Sequence, residues 1–202
     1  MKAAVLASGR GSNLQALLDE WQDGQLPVEF VGVGSNKIDA EALTRAERFG
    51  IQVRTFPRES YADNSSQETD ILNWLEVIGT ELLILAGYMQ VLSSDFIRRA
   101  EYPILNIHPS LLPSFPGLHP QKQAVEYGVK VSGCTVHFVD EGMDSGPIIL
   151  QETVPVFAED DADQLAARIL KVEHTIYPEA VRLIANGKIK REGRRVIVLR
   201  DS

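Results

Sequence analysis

Cysteine is almost absent from this chain, and its absence removes whole classes of chemistry. Cys134 alone cannot form an internal disulfide or anchor a thiolate metal site, which suits a reducing cytoplasm. Lying mid-strand in GCTVHFV, it reads as buried filler rather than as a nucleophile. Long apolar runs are missing as well. None reaches the roughly eighteen residues a membrane helix needs, and Met1-Lys2 leads straight into KAAVLA rather than into a signal peptide. The expectation is a soluble, untargeted, cytoplasmic protein with no membrane partner.

Positive charge is scarce. Lys and Arg number 20 against 28 Asp and Glu, a formal net charge of −8, and the basic residues are dispersed except in KIKREGRRVIVLR near the end. A large nucleic-acid footprint needs a broad basic face, so no nucleic-acid partner is expected. The terminal cluster reads plainly as two short strands turning at Glu192-Gly193 with solvated basic faces, the alternative being a phosphate-binding patch.

What is present is an alternation of short apolar runs and amphipathic stretches over 202 residues, 44% of them hydrophobic, enough for one well-buried domain spanning 1–202. KAAVLA, VEFVGVGS, IQVRTF, ELLILAGYM and PILNIH have strand length. SNLQALLDEWQ, DAEALTRAERFG and the segment 63–79 carry helical spacing between them. This is the pattern of βαβ units on a parallel sheet. SSDFIRRA predicts a short capped helix. A helix over 121–127, two consecutive strands VSGCTVHFV and PIILQETVPV, and a long helix over 161–185 follow. The expected fold class is α/β: a single three-layer αβα domain on a mostly parallel, mixed, Rossmann-like sheet.

Three stretches carry candidate chemistry. In ASGRGSNL, Gly9 and Gly11 permit a tight strand-to-helix turn, and the exposed N–H groups at the helix start favour an anion such as phosphate. Leu14 stands where a dinucleotide fingerprint has its third glycine, and the second strand ends GSNK without a ribose-binding carboxylate. A phosphate monoester therefore fits better than a dinucleotide, and a mere capped turn is the bland alternative. In PILNIH the period of two puts Ile104, Asn106 and His108 on one face, at the strand end where open α/β sheets bind ligands. Pro109, Pro113 and Pro116 stiffen the loop that follows. In VDEGMDSGP, Asp140, Glu141 and Asp144 lie between two strands, where one carboxylate can reach a histidine or all can simply face solvent. His108, His119, His137 and Asp144 show no close metal-ligand spacing, so no metal is expected.

Taken together, SGRGSNL, SNK, LAGYM, ILNIHPSLLPSFPGLH, GCTVHFVDEGMDSGPII and EHTIYP resemble the folate-dependent formyltransferase family, over nearly the whole chain. NIHPSLLP and the spacing from Gly133 through Asp144 to Gly146 match the wider family. GSN and EHTIYP match the branch that formylates glycinamide ribonucleotide in de novo purine synthesis.

The resemblance implies the formyltransferase fold, with ribonucleotide phosphate held in the N-terminal half and folate and catalysis in the C-terminal half. It implies direct formyl transfer from 10-formyltetrahydrofolate, without a formyl-enzyme intermediate or a metal, between small-molecule substrates in a monomer or homodimer. On matching positions Asn106, His108 and Asp144 become the catalytic trio, Gly11, Ser12 and Asn13 the phosphate cradle, and Glu173 a partner of the acceptor. Met89, Gln90, Val91 and Leu92, with Val139, Asp140, Glu141, Gly142 and Met143, wrap the pterin, joined by Asn106 and Asp144. The Asn106 amide and a cationic His108 would meet the formyl oxygen where charge develops, with Asp144 orienting the imidazole and relaying protons. Asn64 and Gln90 depart from the pattern by standing where relatives carry basic residues, which bears on how the outer folate and its glutamate tail are held. Methionyl-tRNA formyltransferase and formyltetrahydrofolate hydrolase share the catalytic strand but carry further domains, for which no room is expected here.

Overall fold

The computed structural model describes residues 1–199, and their apolar runs become strands where the alternation places them. The first compact unit, Met1–Leu105, contains β1 (Lys2–Leu6), α1 (Ser12–Gln22), β2 (Glu29–Ser35), α2 (Glu41–Arg48), β3 (Val53–Thr55), α3 (Asn64–Val77), β4 (Leu82–Leu85) and α4 (Ser94–Arg99). β1 pairs in parallel with β2 on one side and β4 on the other, which leaves Ala3 to Leu6 without exposed surface. A strand covered on both faces reads as a continuous apolar run, and KAAVL does so. Helix α1 buries Leu14, Leu17 and Leu18, the i, i+3, i+4 stripe of an amphipathic helix. Asp63 and Ser66 close a capping box that starts α3, and Ser93 caps α4.

The second unit begins at Asn106, inside β5 (Ile104–His108). It continues with α5 (Pro120–Tyr127), β6 (Val131–Phe138), β7 (Ile148–Pro155), α6 (Ala162–Ala185), β8 (Ile189–Glu192) and β9 (Arg195–Val198). β6 and β7 form an antiparallel pair whose register shifts between Val136 and His137. β8 and β9 form a separate two-stranded hairpin, as the terminal basic run predicts; Arg200, the last residue of that run, lies outside the described residues. Asp161 and Gln164 cap α6, which runs on through Pro178 at the loss of one helical N–H.

One seven-stranded sheet, mixed and mostly parallel, has the order β3-β2-β1-β4-β5-β6-β7 and is flanked by helices, so the expected α/β class holds. Two strands are shorter than their apolar runs. ELLILAGYM yields only Leu82–Leu85, because Gly87 at φ 70 turns the chain out of the sheet, and IQVRTF yields only Val53–Thr55. A 3-10 turn at Arg58–Ser60 had no apolar signature to announce it. Among the described residues no helix is long and apolar enough to cross a membrane. Cys134 is fully buried in β6, and burial pushes its thiol up to about 12, which removes it as a nucleophile.

Candidate active site

Strand β5 buries Ile104, Leu105 and His108 and leaves Asn106 half-buried. The chain then folds back over His108. Phe115 adopts a left-handed backbone, φ 52, and its carbonyl oxygen lies 2.9 Å from Nε2 of His108. Thr135 of β6 holds this loop with every capacity of its hydroxyl: it donates to the Ser110 carbonyl at 2.7 Å and accepts from Leu112 N–H at 3.0 Å and from Gln151 at 2.9 Å. Side-chain hydrogen bonds thus add to the proline stiffening expected for this loop.

The connection from β6 to β7 brings the third group. Gly146 is required there, since a Cβ would lie 1.7 Å from the Phe138 carbonyl oxygen. Asp144 has φ 48, a left-handed conformation that aspartate tolerates better than most residues. Its Oδ2 accepts from the Gly117 N–H at 2.8 Å and lies 3.4 Å from Nδ1 of His108. Of the three acidic residues in the loop, Asp144 is the one set against a histidine in this way. Both ring nitrogens of His108 thus face acceptors. Neutral imidazole carries one N–H and can serve one of them; only imidazolium donates to both.

His137 completes the arrangement, and the sequence reading assigned it no catalytic part. The period of two along β6 puts it on the same face as Thr135, and the register shift beside it falls where bulges commonly re-aim side chains. Its Nε2 lies 3.3 Å from the Asn106 amide nitrogen and 3.8 Å from Oδ1 of Asp144, and its Nδ1 lies 2.8 Å from the Phe138 carbonyl oxygen. Burial lowers its pKa below the ordinary 6.5, against the opposing pull of that carbonyl and of Asp144. Its near-invisibility in the sequence has a simple cause, because a lone histidine mid-strand looks like any buried polar residue. Among the described residues no group of three or more His, Cys, Asp or Glu has an arrangement able to hold a metal ion. Glu173 is buried on α6 in this same unit.

In the first unit, Gly11 is the N-cap of α1, with φ 70 and no side chain capping the helix. A helix start carries the positive end of the helix dipole. The turn is braced from behind. Ala42 N–H donates to the Gly9 carbonyl at 3.1 Å, and Arg45 donates to the Arg10 carbonyl at 2.8 Å. Ser8 ties together three of the quoted motifs: its hydroxyl donates to Asn36 at 2.6 Å and accepts from the Met89 N–H at 2.8 Å.

The segment 89–92 alternates. Met89 and Val91 are 76% and 71% exposed, whereas Leu92 is buried and Gln90 turns inward. The Gln90 amide nitrogen donates to Asn64 at 2.5 Å and to Gln67 at 2.8 Å. Asn64 in turn donates to the buried Glu68 at 3.0 Å, which also accepts from the Ser93 N–H at 2.8 Å and from the Ser93 hydroxyl. Asn64 and Gln90 are therefore hydrogen-bonded to each other. Asn64 and residues 89–92 lie in the first unit, and the remaining expected donor contacts, residues 139–144 and Asn106, in the second.

The class of the chain is given by its similarity to known proteins. Residues 1–181 match the formyl transferase family. The chain is 40% identical over 190 residues to phosphoribosylglycinamide formyltransferase of Escherichia coli, covering 94% of this chain and 90% of that protein. It is 46% identical over 188 residues to the trifunctional purine biosynthetic protein adenosine-3 of Drosophila melanogaster, covering 92% of this chain but only 14% of that much longer protein. A solved structure of glycinamide ribonucleotide transformylase 1 from Symbiobacterium toebii superposes with a TM-score of 0.96 at 46% identity, covering 99% of this chain and 94% of that one. The chain belongs to the formyl transferase family, in the branch of the phosphoribosylglycinamide formyltransferases.

Proposed function

We propose that this chain transfers the formyl group of 10-formyltetrahydrofolate to the amine of 5-phosphoribosylglycinamide, a step of purine biosynthesis. The observation that carries the reading is the set Asn106, His108 and Asp144 at the end of β5, with Asp144 3.4 Å from His108, in a chain of this family. The donor would bring an activated formyl group. As an amine adds to such a group, negative charge grows on the formyl oxygen, and donors already aimed there lower the barrier. Asn106 uses one amide N–H on His137 and keeps its second for that oxygen. His108 supplies the other donor when the incoming oxygen replaces one of its two acceptors. Asp144 orients the imidazole and relays the proton that the amine loses to the folate nitrogen, whose bond to the formyl carbon breaks as the new amide forms.

The other roles follow from placement. The uncapped first turn of α1 at Gly11, Ser12 and Asn13 takes the phosphate, and Glu173 contacts the acceptor. Exposed Met89 and Val91 in the first unit, and exposed Met143 in the second, are each side chains suited to lying against a flat heteroaromatic ring. Gln90 and Asn64 hold their loop rather than reach outward. The test is incubation with both substrates while formylated ribonucleotide and deformylated folate are measured. Equal amounts of the two products, and no folate consumption without ribonucleotide, support the reading. Folate consumption that ignores the ribonucleotide overturns it.

A further inference from the structure

The basic run at the chain's end remains without a role in the chemistry above. Its hairpin turns at Gly193, φ 60, and Arg194, with Glu192 paired to Arg195. At the turn, Nη2 of Arg194 donates to the Ser145 carbonyl at 2.7 Å, across 49 residues of sequence. From β8 the Arg191 guanidinium lies 5.8 Å from the centre of the Phe138 ring, within cation–π range. β9 also packs beside β7. Phe138 ends β6, and Ser145 follows Asp144, so two cationic side chains of one hairpin hold both ends of a single loop.

That loop needs holding. Within it, Asp140 Oδ1 accepts from the Gly142 N–H at 3.1 Å and from the Ser145 hydroxyl at 2.6 Å. These bonds shape the first part of the turn. Asp144 itself sits in a left-handed conformation that an L-residue adopts under strain. An outside donor on the Ser145 carbonyl fixes the peptide that leads out of this strained turn, and with it the direction in which the Asp144 carboxylate points. The Phe138 contact fixes the other end, next to the carbonyl that accepts from His137.

We infer that the C-terminal hairpin is a brace for the Asp144 loop, with Arg194 a positioning residue that acts through the Ser145 carbonyl to keep Asp144 against His108. The inference rests on the formyl-transfer reading for its kinetic consequence, whereas the brace itself can be measured without turnover. The solvated-strand reading of the basic run accounts for neither contact.

The experiment uses the full chain and three variants, Arg194→Ala, Arg194→Lys and Arg195→Ala. Amide hydrogen exchange over residues 138–147 reports the brace directly. Arg194→Ala should speed exchange there and lower kcat about three- to tenfold, the scale of one ordinary hydrogen bond's net contribution, with ribonucleotide KM unchanged. Arg194→Lys should recover most of both, because an ammonium can still donate to one carbonyl. Arg195→Ala removes the same charge from the same hairpin and should match the wild type. Unchanged exchange in Arg194→Ala overturns the brace, as do equal losses in Arg195→Ala. Faster exchange with unaltered kcat overturns the positioning role. Failure of the formyl-transfer reading looks different: the wild type itself would not transfer formyl, while the exchange comparison would still decide the brace.

Discussion

The amide of Asn106 donates to His137. The distance is 3.3 Å, and the direction of the bond follows from the far side of the ring, where Nδ1 lies 2.8 Å from the Phe138 carbonyl oxygen. A carbonyl only accepts, so Nδ1 carries the hydrogen, and Nε2 of the neutral ring must accept from Asn106. His137 thereby decides which way the amide faces.

A pH dependence follows. Burial lowers the pKa of His137 from 6.5, so the folded protein resists a proton that the unfolded chain accepts. Stability is therefore greatest above 6.5, falls as pH is lowered from there toward the folded value, and is at its least below it. Protonation also turns Nε2 into a donor facing a donor and releases Asn106. Denaturant unfolding between pH 8 and pH 5 should show less acid sensitivity in His137→Gln than in the wild type. Superimposable pH profiles would show that His137 does not titrate across folding.

Removing Asn106 or His108 as alanine should lower kcat by about 10² to 10³-fold, the loss of one oxyanion donor, with ribonucleotide binding largely kept. Both donors act on one oxygen, so the double variant should lose far less than the product of the singles. Steady-state kinetics of the three variants tests this, and near-normal turnover in His108→Ala would remove the proposed mechanism.

Gly11→Ala should damage the phosphate cradle by sterics alone. Its φ is 70, and a Cβ would lie 2.7 Å from the Ala42 side chain and 2.8 Å from the Ala42 Cα. The left-handed conformation costs about 1–2 kcal/mol for an L-residue, and α2 must shift besides. Calorimetry with inorganic phosphate should show weakened binding, and denaturant melts a lower midpoint. Wild-type phosphate affinity in a folded Gly11→Ala would separate the turn from the ligand.

At position 90 the sign of the substitution matters more than its size. The Gln90 amide nitrogen meets two acceptors, on Asn64 and Gln67. Gln90→Glu puts carboxylate oxygens opposite those acceptors and should loosen residues 89–92, raising donor KM with ribonucleotide KM unchanged. Gln90→Arg keeps donors in place and should hold the loop; any lowering of donor KM should be under about tenfold and stronger at low salt. A Gln90→Glu enzyme with wild-type donor KM would show that the network does not support the donor.

Periodicity made the fold legible. Apolar runs and i, i+3, i+4 stripes mark nearly every element, and the sheet's mixed character is visible in two consecutive strands without a helix between them. Half of the site was legible too, because Asn106 and His108 share a strand and a period of two. Asp144 could be named within its loop, but the left-handed backbone that aims it depends on close approaches of Gly146 that no local pattern encodes. His137, Thr135 and Arg194 were opaque for a related reason: each acts through a backbone carbonyl or an amide far away in sequence. The hydrogen bonds of Gln90 to Asn64 and Gln67 span 26 and 23 residues and had no local signal either.

The in-and-out alternation of residues 89–92 separates two properties that proteins often couple. Gln90 and Leu92 are bound into the body of the first unit, so changing them taxes folding. Met89 and Val91 stand 76% and 71% exposed on a backbone that their neighbours secure. Surface positions of that kind tolerate substitution within roughly 0.5 kcal/mol. Natural drift or a designer can therefore revise the chemical texture of the surface at two positions while leaving thermodynamic robustness nearly untouched.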